Sequence, residues 1–248
     1  MDRPRAELRT LAVALLASLV LWNLPYGGIV LYPFKLLATW LHEMSHALVM
    51  LVTGAGLKYV LIYRDTSGQS QQVWAISDVG TAAIATAGYM GTSLWGALLL
   101  LATPTPRAAR RALLVLAALM TLTAFTIVEP TPEGDHFGVY ATLGIAAALA
   151  ACALVLPGRW RVLGAHFIAA QSCINALLDI RVLLRPMQVV GGVVSGHSDA
   201  YVMAMATFGH VPPWTIWFWA IVWLAWSLVV LFVALRIASA RRSTPADP

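Results

Sequence analysis

Leu36-Leu37-Ala38-Thr39-Trp40-Leu41-His42-Glu43-Met44-Ser45-His46-Ala47-Leu48-Val49-Met50-Leu51-Val52 is an apolar stretch with three ionisable side chains at its centre. Its length and composition predict a membrane-embedded helix. Ionisable residues are rare at such depth and each needs a partner. The rest of the chain agrees with a lipid setting. Of 248 residues, 60% are hydrophobic and only 11% charged, with a mean hydropathy of +0.77. A soluble domain carries about 25% charge. Disorder, coiled coil and collagen are excluded by the same composition.

Outward from 36–52, further apolar segments fall at 9–28, 81–103, 112–128, 137–156, 161–184 and 213–238, with the helix of the opening stretch extending over 31–54. The expected fold is therefore an all-α polytopic membrane protein of six to seven transmembrane helices, forming one domain over 1–248. Pro25, Gly27 and Gly28 interrupt the first segment, which predicts a tight helical hairpin or a partly re-entrant element. That segment lacks a small-residue cleavage site and reads as an uncleaved span.

Two stretches break the helical pattern. Lys58-Tyr59-Val60-Leu61-Ile62-Tyr63 is rich in β-formers, and a polar turn, Asp65 to Ser70, separates it from Gln72-Val73-Trp74. This predicts a β-hairpin at about 57–76. An unpaired strand edge cannot face lipid, so the hairpin must lie at the interface or in a cavity, where its edge is free to pair with an extended peptide. Residues 186–212 carry Gly191, Gly192, Gly196 and Pro212, with Pro213 next, and read as irregular, with a short helix at 198–208.

The net charge is +5. Its arginines cluster at segment ends: Arg107, Arg110 and Arg111; Arg159 and Arg161; Arg236, Arg241 and Arg242. Such a distribution marks topology and headgroup contact rather than nucleic-acid binding. It puts the loops at 104–111 and 157–161 on the cytoplasmic side. Cys152 and Cys173 lie within apolar segments and read as buried thiols.

His42-Glu43-Met44-Ser45-His46 is an HExxH motif. Four helical residues give about 400° of rotation and about 6 Å of rise, so both imidazoles project from one face. That spacing suits one catalytic Zn²⁺, with Glu43 one residue round and placed to activate a zinc-bound water. Without a metal, burying these groups is costly; one carboxylate in a bilayer costs about 2.5–3.5 kcal/mol on insertion scales. A catalytic zinc takes three protein ligands. Asp179, inside the apolar segment 161–184, is the leading third ligand. Asp199, in Ser198-Asp199-Ala200, is its rival, although a helix N-cap is its plainer role. Asn175, one turn before Asp179, is placed to orient the aspartate, the water or a substrate carbonyl. His166 reads as a structural histidine. Gly88, Gly91 and Gly96 suit either close helix packing or substrate approach.

These residues resemble the site-2-protease family of intramembrane zinc metalloproteases, in particular its small bacterial branch without a PDZ domain. The likeness rests on Trp40 to Leu48, the Gly54/Gly56 turn with its hairpin, Ala87-Gly88-Tyr89-Met90-Gly91 with Gly96, and the late segment 161–205 with Asn175, Asp179 and Ser198-Asp199-Ala200. It implies hydrolysis of a peptide bond in or near the membrane helix of a protein substrate. It further implies a multi-pass location, in a bacterial plasma membrane, and roles in regulated intramembrane proteolysis. The alternatives are a metal-binding or transporting membrane protein and a catalytically silent scaffold. The substrate and the oligomeric state are not legible.

Overall fold

The computed structural model describes residues 16–17, 20–183, 188–195 and 198–240, with the backbone alone at 178–183, 188–189 and 193–195. A turn at 24–26 leads into helix α1, Gly27–Val52. The first expected segment, 9–28, lies largely outside the described residues. After α1 come β1, Leu57–Ile62, and β2, Gly68–Gln72. Helices α2, Asp78–Ala102, α3, Pro106–Thr126, α4, Phe137–Val155, and α5, Gly158–Leu183, follow. The chain ends in a second hairpin, β3 Gln188–Val190 and β4 Val193–Ser195, then α6, Asp199–Phe208, and α7, Pro213–Ala240.

Four of the described helices, α2, α3, α4 and α7, are long and apolar enough to cross a membrane. The chain is thus a multi-pass membrane protein. Of the six to seven spans expected, these four are the membrane-crossing candidates among the described residues. Helices α1 and α5 are each 26 residues long, but they carry the polar groups of the interior: His42, Glu43, Ser45 and His46 on one, His166, Gln171, Ser172 and Asn175 on the other. Glu43, His46, His166 and Asn175 are all buried among neighbouring helices. The main apolar cluster joins α1 to α3, α4 and α5 through Leu41, Met44, Leu113, Met120, Leu149 and Ile168.

The expected hairpin is present as an antiparallel pair, with Val60 opposite Ser70 and Ile62 opposite Gly68. It lies along α1. The outer edge of β1 is taken: Val60 N–H donates to the Ile127 carbonyl at 2.8 Å, and Glu129 N–H donates to the Val60 carbonyl at 3.0 Å. At the turn, Arg64 grips Asp135 with two hydrogen bonds of 2.8 and 3.0 Å. That guanidinium holds the Asp135 carboxyl below the usual carboxylate range.

Glycines allow the close helix contacts. A Cβ on Gly96 would stand 2.7 Å from Cys173 Sγ and 3.1 Å from the Ala169 carbonyl oxygen, so α2 and α5 touch almost backbone to backbone there. Residues 186–212, expected to be irregular apart from 198–208, hold the β3–β4 hairpin as well as α6. Gly191 and Gly192 at its turn adopt left-handed φ of 60° and 81°, which side-chain-bearing residues disfavour.

Candidate metal centre

Helix α1 presents His42 and His46 from one face, as the four-residue spacing requires. Their Nε2 atoms are 3.0 Å apart. The third group arrives from the far end of the chain. Ser198 caps α6, its hydroxyl accepting from Tyr201 N–H at 3.1 Å, and Asp199 opens the helix. Because Ser198 takes the capping role, the Asp199 carboxylate is free to turn inward. Its Oδ2 lies 3.0 Å from His42 Nε2 and 3.3 Å from His46 Nε2.

These three separations fit a metal centre. Ligands about 2.0–2.1 Å from a tetrahedral zinc stand about 3.3 Å from one another. Two imidazole nitrogens and one carboxylate oxygen form a donor set of the kind zinc takes. The tautomer also suits: His46 Nδ1–H donates to the Ile84 carbonyl at 2.7 Å, which leaves the Nε2 lone pair for a cation. Exposure is uneven, at 7% for the His46 side chain against 19% for His42 and 26% for Asp199. The cluster is therefore closed on one side and open on the other, where a fourth ligand can enter. Among the described residues, His42, His46 and Asp199 are the group that could hold a metal.

Packing fixes the cluster from below. Gly88 on α2 faces it, and a Cβ there would stand 2.5 Å from His46 Nε2 and closer to the His42 ring. Tyr89 meets the His42 ring edge-on at 4.9 Å and stacks on Trp223 at 5.0 Å. The same contacts tie α6 and α7 to α2, with Ala200 and Met203 packed beside Tyr89 and Trp223.

Glu43 points to another neighbour. Gly68 and Ser70 of β2 lie on one face of the hairpin, against Thr39 and Glu43 of α1. A Cβ on Gly68 would be 2.7 Å from Glu43 Cγ, so only glycine permits this approach. Ser70 Oγ donates to Glu43 Oε2 at 2.6 Å. Glu43 is thereby held in a buried position, adjoining His42 of the candidate cluster. Sequence reasoning missed both residues, since Gly68 reads as a turn glycine and Ser70 as a polar loop residue.

The other expected site residues, Asn175 and Asp179, lie on α5. Asn175 is buried, and its Nδ2 donates to the Phe34 carbonyl at 3.4 Å, two helical turns before His42. That contact joins α5 to α1. Asp179 follows one turn later on α5; its side chain lies outside the described residues, as does His197.

Residues 11–234 match the sequence profile of the family described as Peptidase M50B-like. The chain belongs to that family. M50B is a site-2-protease family, so the resemblance read from the motifs holds, and membership implies a membrane metalloprotease, hence a hydrolase. No curated protein and no solved structure matches the chain. Within this M50B chain, the His42, His46 and Asp199 cluster is the geometry to which a metallopeptidase reading attaches.

Proposed function

We propose that the chain is a zinc-dependent intramembrane endopeptidase of a bacterial plasma membrane. The observation that carries this reading is the convergence of His42 Nε2, His46 Nε2 and Asp199 Oδ2 at 3.0–3.3 Å, with Glu43 as the adjoining helical residue. His42, His46 and Asp199 would hold the metal. Zn²⁺ there supplies Lewis acidity, polarising a carbonyl and lowering the pKa of a water toward neutrality.

Glu43 acts as general base and then general acid. Its carboxylate accepts a proton from the attacking water as the water oxygen bonds to the scissile carbon. It then gives that proton to the departing amide nitrogen as the C–N bond breaks. Ser70 donates to one carboxylate oxygen and so aims the other. Burial of Glu43 keeps bulk water from competing for that proton.

The open edge of β2 supports recognition of an unwound substrate. Val60 spends its N–H and carbonyl on 127–129, and Tyr63 N–H donates to the Ser67 carbonyl at 2.9 Å. Antiparallel alternation then turns the N–H and C=O of Gly68 and Ser70 away from β1. No described backbone group pairs with them. A substrate segment that leaves its helix needs hydrogen-bond partners in lipid, and this edge offers them within reach of Glu43.

Two expectations follow. Ser70→Ala lowers kcat by about 10- to 100-fold with little change in KM, the loss of a hydrogen bond of about 1.5–3 kcal/mol to a charged group, and Ser70→Thr restores most of it. An effect on KM alone would assign Ser70 to substrate binding instead. The whole reading is tested by comparing peptide termini in membrane proteins of cells carrying the chain or its Glu43→Gln variant. New termini within or beside membrane spans should require Glu43. Identical termini in the two cell lines, in a strain where the chain is abundant, would overturn it.

A further inference from the structure

A cavity lies on the far side of α1 from the hairpin, between α2, α3 and α5, with a volume of about 420 Å³. Its outer wall is one stripe of α3: Ala108, Arg111, Val115 and Leu119. Leu98 and Ala102 of α2 face that stripe, and Leu41 with Ile168 forms the floor. From Ala108 to Leu119 the groove runs about 16 Å, close to half of a bilayer's ~30 Å hydrocarbon thickness.

Its mouth is basic. From 79 to 128 the chain has no acidic residue, yet it carries Arg107, Arg110 and Arg111. The α4–α5 connection adds to the same end, because Gly158 lies against the Pro106 ring. Arg161 follows there, on the α5 stripe 161, 165, 168 and 172 that leads down to Ile168 and Ser172 at helical spacing. Arg161 Nε is buried without a hydrogen-bond partner among the described residues. A buried donor with no acceptor among the described residues is a place where an anionic group from outside them can bind.

We propose that this groove is a site for one anionic phospholipid, an acyl chain lying along α3 and the phosphate held by Arg111 and Arg161. Basic pockets between membrane helices on the cytoplasmic side bind anionic headgroups by this chemistry, and the arginine-bearing loops at 104–111 and 157–161 carry the cytoplasmic signature. The lipid would touch α1 directly behind the metal ligands. Leu41 precedes His42, and Trp95, which also lines the groove, donates through Nε1 to Ser45 Oγ at 3.2 Å. The site does not depend on the proteolytic reading.

The test is native mass spectrometry of the full chain in detergent, titrated with phosphatidylglycerol and with phosphatidylcholine of the same acyl chains. The wild type should retain phosphatidylglycerol at least about tenfold better. Arg111→Gln combined with Arg161→Gln should remove the preference. Val115→Trp, which fills the groove from its exposed wall, should remove retention of the phosphatidylglycerol while thermal unfolding stays unchanged. Equal retention of the two lipids by the wild type would overturn the proposal whatever the variants do, and so would retention untouched by Val115→Trp. A photoreactive residue at Leu98 in native membranes should label lipid; a protein adduct in its place would assign the groove to a peptide and overturn the proposal equally.

Discussion

Glu43→Gln should leave a folded, zinc-loaded protein that cleaves its substrate at least about 10³-fold more slowly than the wild type. General acid–base groups contribute typically 10²–10⁴ in rate, and here one carboxylate serves both proton transfers. The metal should stay, because the three converging donor atoms belong to His42, His46 and Asp199. The fold should stay as well. Glutamine has the shape of glutamate, and its amide oxygen still accepts from Ser70 Oγ, now 2.6 Å from the carboxylate. Single-turnover cleavage beside metal content checks both halves. A variant that loses zinc would place Glu43 among the ligands, and one that cleaves normally would remove it from the chemistry.

The second large effect is expected at a residue with no side chain. Helix propensity alone predicts that Gly88→Ala stabilises α2 by about 0.5–1 kcal/mol. The geometry predicts the loss of the metal. The added methyl would sit 2.5 Å from His46 Nε2, in the space that the converging donors share. Helix α2 cannot readily withdraw, because Gly91 packs on Ser45 and Gly96 on Cys173 along the same helix. Zinc per chain should fall at least about tenfold and cleavage with it, while the thermal midpoint of the metal-free protein stays level or rises. Full zinc content in Gly88→Ala would show that the two imidazoles are not gathered against α2.

The legible part of the site is the part that one helix encodes. His42 and His46 are four residues apart, so local geometry alone brings them together, and the apolar flanks supply the setting. The hairpin was equally readable, because β-branched and aromatic residues flank a polar turn. The third acidic group was legible only as a choice between two, Asp179 and Asp199. Asp179 stands out in sequence as a carboxylate within an apolar segment, whereas Asp199 sits in a polar, glycine-rich stretch where a capping role explains it. Only the structure shows that Ser198 does the capping and that α6 aims Asp199 at the α1 histidines. Asn175 was conspicuous for the same reason as Asp179, yet its described partner is the Phe34 carbonyl. Long-range packing places the Asp199 and Asn175 side chains, and sequence spacing carries no record of it.

The glycines and the span count teach a related lesson. Gly68 and Gly88 matter for what presses against them, Glu43 in one case and two imidazoles in the other. A sequence shows a glycine and not its neighbour. Counting apolar segments gave six to seven spans; four of the described helices are uniformly apolar membrane-crossing candidates, while α1 and α5 combine a length of 26 residues with buried polar side chains.

The most direct measurement is the zinc content of the purified protein, wild type beside Asp199→Ala and Asp179→Ala, with folding followed by thermal unfolding. One zinc per chain is expected in the wild type and in Asp179→Ala, and almost none in Asp199→Ala. A well-folded wild type free of metal, or an Asp199→Ala variant that keeps its zinc while Asp179→Ala loses it, would contradict the centre described above.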